Sequence, residues 1–289
     1  MSALVVPAGV DVRDLEAIAV DIATSAGRLV VDDRPRDLGV AATKSSVTDI
    51  VTVMDQRSQD HLLARLDTLR PMDAVMGEEK GGRAGTSGIT WVVDPIDGTV
   101  NYLYDLPAYA VSVAAVVGDP SVPGAWQPIA GAVVNPVSGE TFRAALRRGA
   151  LRRSGAGVDR RLEVGRTAST LADTLVATGF SYAASTRAEQ AGLLVELLPE
   201  VRDIRRIGSA ALDLCRLAAG EVDAYYERDL NPWDLAAGWL VVTEAGCLVG
   251  GPGGLGSAPT AGLTWAAQPA IAQEFAARVT TLARRHHGS

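Results

Sequence analysis

The sequence contains few histidines and cysteines, and this scarcity excludes several kinds of active site. Of its three histidines, His286 and His287 lie in a C-terminal tail that is expected to fray. His61 lies in a predicted helix, at a surface or boundary position, so histidine-based catalysis is not expected. The two cysteines, Cys215 and Cys247, lie in apolar surroundings and indicate buried free thiols. Neither begins a phosphate-binding loop, which excludes a cysteine phosphatase.

The sequence also lacks the features of a membrane-bound, secreted or P-loop protein. No apolar run reaches the roughly 18 residues of a transmembrane helix, and the N-terminal stretch has no basic segment of the kind that begins a signal peptide. The P-loop pattern is absent. We therefore expect a cytoplasmic protein with no membrane partner.

The chain has no excess of positive charge. Its net charge is −7 and its pI is about 5.1, which argues against general nucleic-acid binding, because such proteins carry a basic surface. Two short basic stretches remain, at residues 146–153 and 205–208. We interpret both as solvated surface or a hairpin edge, and the sequence alone gives the arginine-rich hairpin around residues 147–153 no function.

The order of helical and strand-like segments predicts a mixed α/β protein. Residues 1–155 show two helices followed by strand-like runs, which is typical of an α+β lobe with an antiparallel sheet. Residues 156–289 alternate between strands and helices, which indicates an α/β lobe. No long linker separates the two lobes, so we expect one interlocked functional unit.

The stretch "WVVDPIDGT" places two carboxylates at the end of a buried strand. Asp94 follows the apolar run directly, and the turn that comes next carries Asp97 back towards it, with the Ile96 carbonyl between them. Gly98 permits the tight bend, and Thr99 can begin a helix whose free N–H groups face an anion. Asp-Pro and Asp-Gly pairs occur in many ordinary turns, but the whole string after a buried strand is much less common.

Two further acidic positions predict a metal site when they are taken together with this stretch. Glu78 and Glu79 precede the strand, and Asp234 lies where a helix begins. Alone, the glutamates would be an exposed acidic turn, and Asp234 would simply favour the helix dipole. Together these acids offer hard oxygen donors, which suit Mg²⁺, while the ligands typical of zinc are missing.

The motifs "GEE", "WVVDPIDGTVNY" and "WDLAAGWLVVTEAG", in this order and spacing, resemble the Mg²⁺-dependent, lithium-sensitive inositol monophosphatase family. The resemblance covers most of the chain, from "TKSSVTDIVT" to the final helix. It implies a five-layered αβαβα sandwich, a homodimer, and two or three Mg²⁺ ions in each subunit. The implied substrate is a small phosphate monoester.

The resemblance also assigns roles to individual residues. The implied metal ligands are Glu78, Asp94, Ile96 through its carbonyl, Asp97 and Asp234, with Glu79 close by. The implied catalytic residues are Glu78 and Asp94, together with Thr99 and Asp55, which orient the attacking water. The implied substrate-binding residues are Asp97, Gly98, Thr99, Gly208, Ser209, Ala210, Glu227 and Asp234. Lys44 and Asp49 fall on a mobile loop that closes over the metals.

The reaction implied by the resemblance is hydrolysis of inositol monophosphate by a metal-activated water, without a phosphoenzyme. Other substrates used within the family stay open at this point, namely fructose 1,6-bisphosphate, a 3′-phosphonucleotide or histidinol phosphate. Glu227 favours a polyol ring among them. A role as a partner of the transcription machinery, which some family members have, is the alternative from a different functional class.

Overall fold

The computed structural model describes residues 4–44, 50–164 and 168–286. Its helices are α1 (Val12–Asp32), α2 (Val53–Leu69), α3 (Thr99–Leu103), α4 (Ala184–Leu197), α5 (Ala210–Ala218), α6 (Pro232–Glu244) and α7 (Ala272–Arg285). Its strands are β1 (Ala42–Thr43), β2 (Ile50–Val51), β3 (Ala74–Gly77), β4 (Ile89–Asp97), β5 (Ala110–Gly118), β6 (Trp126–Asn135), β7 (Glu140–Ala145), β8 (Gly149–Ser154), β9 (Arg160–Leu162), β10 (Leu175–Thr178), β11 (Asp203–Arg205), β12 (Ala224–Glu227), β13 (Leu248–Gly250) and β14 (Thr264–Ala267).

Local sequence signals explain where the first helices begin. The Asp11 carboxylate accepts a hydrogen bond from the backbone N–H of Arg13 at 2.9 Å and so caps α1. Helix α2 begins at Val53, with Thr52 as its N-cap residue. Thr52 and Asp55 form a reciprocal capping box, which places Asp55 inside the first turn.

Two sheets carry the fold. The larger one has seven strands in the order β3-β4-β5-β6-β7-β8-β9, and all of its pairings are antiparallel except that of β3 with β4. The smaller one has five strands in the order β11-β10-β12-β14-β13, parallel on one side of β12 and antiparallel on the other. The expected change from an antiparallel first half to an α/β second half is confirmed.

Three apolar clusters show that the layers alternate as αβαβα. Helices α1 and α2 pack on the outer face of the seven-stranded sheet. Helices α5 and α6 lie between the two sheets, and α4 and α7 cover the far face of the five-stranded sheet. Both faces of β4 are covered. Trp91 and Val93 therefore pack against α1 and α2, while Val92 packs into the layer between the sheets. The five-layered sandwich implied by the family resemblance is confirmed.

The arginine-rich hairpin joins the two halves of the chain. The backbone N–H groups of Arg147 and Gly149 donate to the Glu244 carboxylate at 2.7 and 2.8 Å. Arg152 forms ion pairs with Glu140 and Glu221. The next strand, β9, continues the seven-stranded sheet beyond residue 155. The division of the chain into lobes at residues 155 and 156 stays a prediction.

The two cysteines have the buried surroundings that the sequence predicts. Cys215 and Cys247 are buried free thiols. His61 is half-buried, and its Nε2 lies 2.9 Å from the Ser25 hydroxyl. Across the three described segments, no helix combines the length and the apolar character that crossing a bilayer requires.

Candidate functional site

A bulge in β4 brings two carboxylates to the same face of the sheet. Asp94 pairs with Ser112 and Asp97 pairs with Ala110 on β5, so β4 carries one extra residue between them. An extra residue reverses the alternation of side chains along a strand. Ile96 therefore packs into the apolar cluster on the outer face, and the Asp97 side chain lies on the same face of the sheet as that of Asp94. The strand itself continues through the turn expected after Asp94 and ends at Asp97.

Asp234 reaches the same place from the first turn of α6. Oxygen atoms of Asp94, Asp97 and Asp234 all lie within 4.8 Å of one another, which is a spacing that can hold a metal ion. The Asp234 Oδ2 also accepts a hydrogen bond from the backbone N–H of Asn231 at 2.7 Å and completes a capping box. The helix-terminus role and the metal-site role considered from the sequence are thus compatible, because one carboxylate can serve both.

Asp97 links the seven-stranded sheet to the start of α5. Its Oδ2 accepts hydrogen bonds from the Ser209 hydroxyl at 2.6 Å and from the backbone N–H of Ala211 at 2.8 Å. The first-turn N–H groups of a helix have no partners within the helix, and they favour a carboxylate. This contact places Gly208, Ser209 and Ala210 beside the acidic cluster.

The cluster is electrostatically strained when it holds no cation. Burial, together with the neighbouring Glu78, Asp97 and Asp234, raises the pKa of Asp94 well above its usual value. Burial and the same kind of repulsion raise the pKa of Asp234. Burial also raises the pKa of Asp97 to about 6, although its hydrogen bonds to α5 oppose the shift. A bound cation would relieve these repulsions.

Glu78 and Glu79 stand at the rim of the cluster and hold Lys44. The Lys44 Nζ lies 2.7 Å from Glu78 Oε1 and 2.5 Å from Glu79 Oε1. Burial disfavours the ammonium, but the two carboxylates outweigh it and raise the pKa of Lys44. Glu78 also contacts Asp94 through a side-chain hydrogen bond. Asp49, the other residue assigned to the loop, lies outside the described residues.

Thr99 and Asp55 form a buried pair below the cluster. The Thr99 hydroxyl donates to Asp55 Oδ1 at 2.9 Å, and it also lies 3.1 Å from the Ile96 carbonyl oxygen. The other Asp55 oxygen accepts from the backbone N–H and the hydroxyl of Thr52 at 2.7 and 2.6 Å. Burial raises the pKa of Asp55 to about 6, although these hydrogen bonds lower it.

Gly98 provides the turn that leads into Thr99. Its φ of +100° lies in the left-handed region that favours glycine. A Cβ at this position would come 3.1 Å from the carbonyl oxygens of both Ala108 and Gly208. Only a glycine allows these backbone segments to approach one another so closely.

A cavity of about 370 Å³ opens above the acidic cluster. Its walls include nine of the residues predicted from the sequence: Lys44, Glu78, Asp97, Gly98, Gly208, Ser209, Ala210, Glu227 and Asp234. Asp94, Ile96, Thr99 and Asp55 do not line it and lie beneath it or beside it, since Asp94, Ile96 and Asp55 are each about 1% exposed. Glu79 does not line it either, but shares Lys44 with Glu78.

Glu227 also lies in the wall of this cavity. It is half-buried at the end of β12, and its Oε2 accepts a hydrogen bond from the Tyr225 hydroxyl at 2.7 Å. Gly179 makes room for the carboxylate, since a Cβ there would come 2.1 Å from Glu227 Oε1. Burial raises the pKa of Glu227 to about 7, although the Tyr225 hydrogen bond opposes the shift.

The sequence interpretation missed several residues of the cavity wall. Arg206 lies in a basic stretch that was interpreted as solvated surface, yet it lines the cavity. Asp213 was not considered, although it lies one helical turn after Ser209 and so on the same face of α5. Its Oδ1 is buried and has no hydrogen-bond partner in the described part of the chain. Residues 179–183 also line the cavity. Their position directly after a buried strand could have indicated this from the sequence.

Comparisons with known proteins agree with this geometry. Residues 11–286 match the family described as "Inositol monophosphatase family". An inositol-1-monophosphatase of Mycobacterium leprae is 45% identical over 92% of this chain and 94% of its own length. A protein of Pasteurella multocida named Nus factor SuhB is 37% identical over 89% of this chain and 92% of its own length. The solved structure of Mycobacterium tuberculosis SuhB superposes with a TM-score of 0.77 at 39% identity, covering 96% of this chain and 98% of that one.

The raised pKa of Glu227 predicts a specific pH dependence of stability. Its folded-state value of about 7 exceeds the ordinary 4.5, so the ionised carboxylate opposes folding, and stability falls as the pH rises through this window. Glu227→Gln removes the titration and is expected to reduce this fall by about 1–3 kcal/mol. Urea denaturation in the presence of a chelator, from about pH 5 to about pH 8, measures it. Identical pH slopes for both proteins would contradict the assignment.

Proposed function

We propose that this chain, which belongs to the inositol monophosphatase family and is a phosphoric monoester hydrolase, releases phosphate from inositol monophosphate with the help of Mg²⁺. The observation that carries this proposal is the approach of Asp94, Asp97 and Asp234 within 4.8 Å at the floor of a polar cavity. Similarity to proteins named inositol-1-monophosphatase supports the choice of substrate.

The donor set fits Mg²⁺. Oxygen ligands alone are available in the cluster, and hard cations such as Mg²⁺ prefer a few carboxylates together with waters and a substrate phosphate. The proposed ligands are Glu78, Asp94, the Ile96 carbonyl, Asp97 and Asp234, with Glu79 beside them, for two or three ions. When bound, Mg²⁺ supplies charge stabilisation for the phosphate and lowers the pKa of a coordinated water.

Thr99 and Asp55 are proposed to orient the attacking water. A hydroxyl group has one proton and two lone pairs, and the Thr99 proton is directed at Asp55. The Thr99 oxygen is then left to accept a hydrogen bond from a water molecule and to fix its direction towards phosphorus. Asp55 keeps the hydroxyl in this rotamer, because Thr52 holds its second oxygen. The backbone N–H groups of Gly98 and Thr99 are proposed to contact the phosphate.

The part of the cavity wall that contains Glu227 is proposed to bind the polyol ring. Glu227 offers a carboxylate at the end of β12, and Gly208, Ser209 and Ala210 offer polar backbone groups that line the same cavity. Asp213 adds a buried oxygen without a partner in the described part of the chain. A site lined with such acceptors favours a substrate with several hydroxyl groups, because unpaired buried polar groups cost binding energy.

Two alternatives are separated by simple assays. Fructose 1,6-bisphosphate, 3′-phosphonucleotides and histidinol phosphate are compared with inositol 1-phosphate by phosphate release, with and without Mg²⁺. The name Nus factor SuhB, carried by relatives that are 36–37% identical, supports a second hypothesis, an interaction with the transcription machinery. A pull-down from lysate tests this hypothesis.

The oligomeric state and the location also stay predictions. Gel filtration tests the proposed homodimer. A cytoplasmic location stays a prediction.

Asp94→Asn is expected to lower turnover by several orders of magnitude while the fold stays intact. The substitution removes one charge from the cluster, and loss of a single electrostatic contact to the reacting group costs at least about 10²–10³-fold. Phosphate release measures the effect, and circular dichroism checks the fold. The matched control is Asp60→Asn, because Asp60 is exposed on α2. Undiminished hydrolysis by a folded Asp94→Asn protein would disprove the metal-site assignment.

Activity is expected to require Mg²⁺ and to fall when Li⁺ is added. At about 100 times its dissociation constant, Mg²⁺ is also expected to stabilise the folded protein by about 2.7 kcal/mol. Thermal unfolding with and without Mg²⁺ measures this binding independently of turnover. The stabilisation is expected to be largely lost in Asp94→Asn and kept in Asp60→Asn. Equal shifts in both variants would place the ion elsewhere.

Glu227→Gln is expected to change substrate preference more than chemistry. A hydrogen bond to a charged group contributes about 1.5–3 kcal/mol, so the specificity constant for inositol 1-phosphate is expected to fall roughly ten- to a hundredfold. That for glycerol 2-phosphate is expected to change much less. Gly179→Ala provides a second variant, because its Cβ would displace the Glu227 carboxylate. An equal fall for both esters would place Glu227 in the metal or water network instead.

A further inference from the structure

A basic groove lies on the outer face of the seven-stranded sheet, away from the acidic cluster. It runs between α1 and the strands β7 and β8, and it contains two adjoining cavities of about 500 and 370 Å³. Thr24, Arg28 and Arg153 line both cavities, so they mark the point where the two meet. None of the described residues lining either cavity also lines the cavity above the acidic cluster.

The other charged residues of the groove are already paired. Asp21 forms an ion pair with Arg65 at 2.5 Å. Arg143 forms ion pairs with Glu16 at 2.6 Å and with Asp159 at 2.7 Å. These contacts engage three acidic side chains, and in the described part of the chain the remaining groove arginines have no ion pair within 4 Å.

Among the described residues, the exposed Arg28, the half-buried Arg153 and the buried Thr24 hydroxyl at the junction have no partner. Within the residues that the structure describes, neither the Arg28 nor the Arg153 guanidinium makes a hydrogen bond or an ion pair within 4 Å, and Arg153 feels only a weaker attraction from Asp159. The Thr24 hydroxyl oxygen is buried and has no hydrogen-bond partner in the same described residues. Buried polar groups are nearly always paired with protein, water or a ligand.

We infer that this junction binds the phosphate group of a small molecule. Two guanidinium groups balance the charge of a phosphate dianion, and guanidinium binds phosphate in a bidentate fashion. The Thr24 hydroxyl is buried in its present rotamer, and rotation about χ1 towards the cavities that this residue lines would let it donate to a third oxygen. The cavity volumes fall within the range of small-ligand sites, whereas the net charge of −7 opposes a nucleic acid. The source of the group is either free inorganic phosphate or a phosphate monoester.

Calorimetric titration of the metal-free protein tests this inference. With a chelator present, the acidic cluster carries no Mg²⁺ and repels anions, so binding of inorganic phosphate reports on the groove. Removing one charged hydrogen-bonding partner is expected to weaken binding about tenfold. We therefore expect about tenfold weaker binding for Arg28→Gln and for Arg153→Gln, and a severalfold loss for Thr24→Val, which keeps the side-chain shape.

Controls separate the groove from other sites. Arg36→Gln, at an exposed arginine outside the groove, is expected to keep the affinity of the unmodified protein. Parallel titrations with inorganic phosphate and with glycerol 2-phosphate show which source binds more tightly. No binding of either probe, or equal binding by all variants, would overturn the inference. Binding of an RNA oligonucleotide without binding of phosphate would also overturn it.

Discussion

Repulsion among buried carboxylates is the constraint on which the rest of this structure depends. Asp94, Asp97 and Asp234 come within 4.8 Å of one another at the floor of the cavity, and such crowded, largely buried groups resist ionisation unless a cation joins them. Two separate local features of the backbone hold these carboxylates in place. A bulge in β4 turns Asp97 to the side of Asp94, and a capping box fixes Asp234 in the first turn of α6.

The same carboxylates connect the two halves of the chain. Asp97, from the seven-stranded sheet, accepts hydrogen bonds from the first turn of α5, and α5 with α6 forms the layer between the sheets. The ion site and the packing of the middle layer are therefore physically coupled. Because Asp97 accepts these two hydrogen bonds, it helps to hold Gly208, Ser209 and Ala210 beside the cavity.

Sequence patterns predicted the parts of the site that are local. The strand, turn and helix around Asp94 to Thr99 follow from an apolar run, a proline and a glycine, and the start of α6 follows from "NPWD". The layers could be predicted through the family resemblance. Contacts between distant segments could not. Arg206 was interpreted as surface, Asp213 was overlooked, and the space that Gly179 leaves for Glu227 depends on the pairing of β10 with β12.

The central claim is that the three aspartates form one cation site. Anomalous diffraction from crystals of this protein soaked in Mn²⁺, which takes the same oxygen ligands as Mg²⁺, tests it most directly. The account predicts anomalous peaks in contact with oxygen atoms of Asp94, Asp97 and Asp234, at the floor of the cavity that Glu227 lines. Peaks confined to other acidic residues, with no density between these three carboxylates, would contradict it.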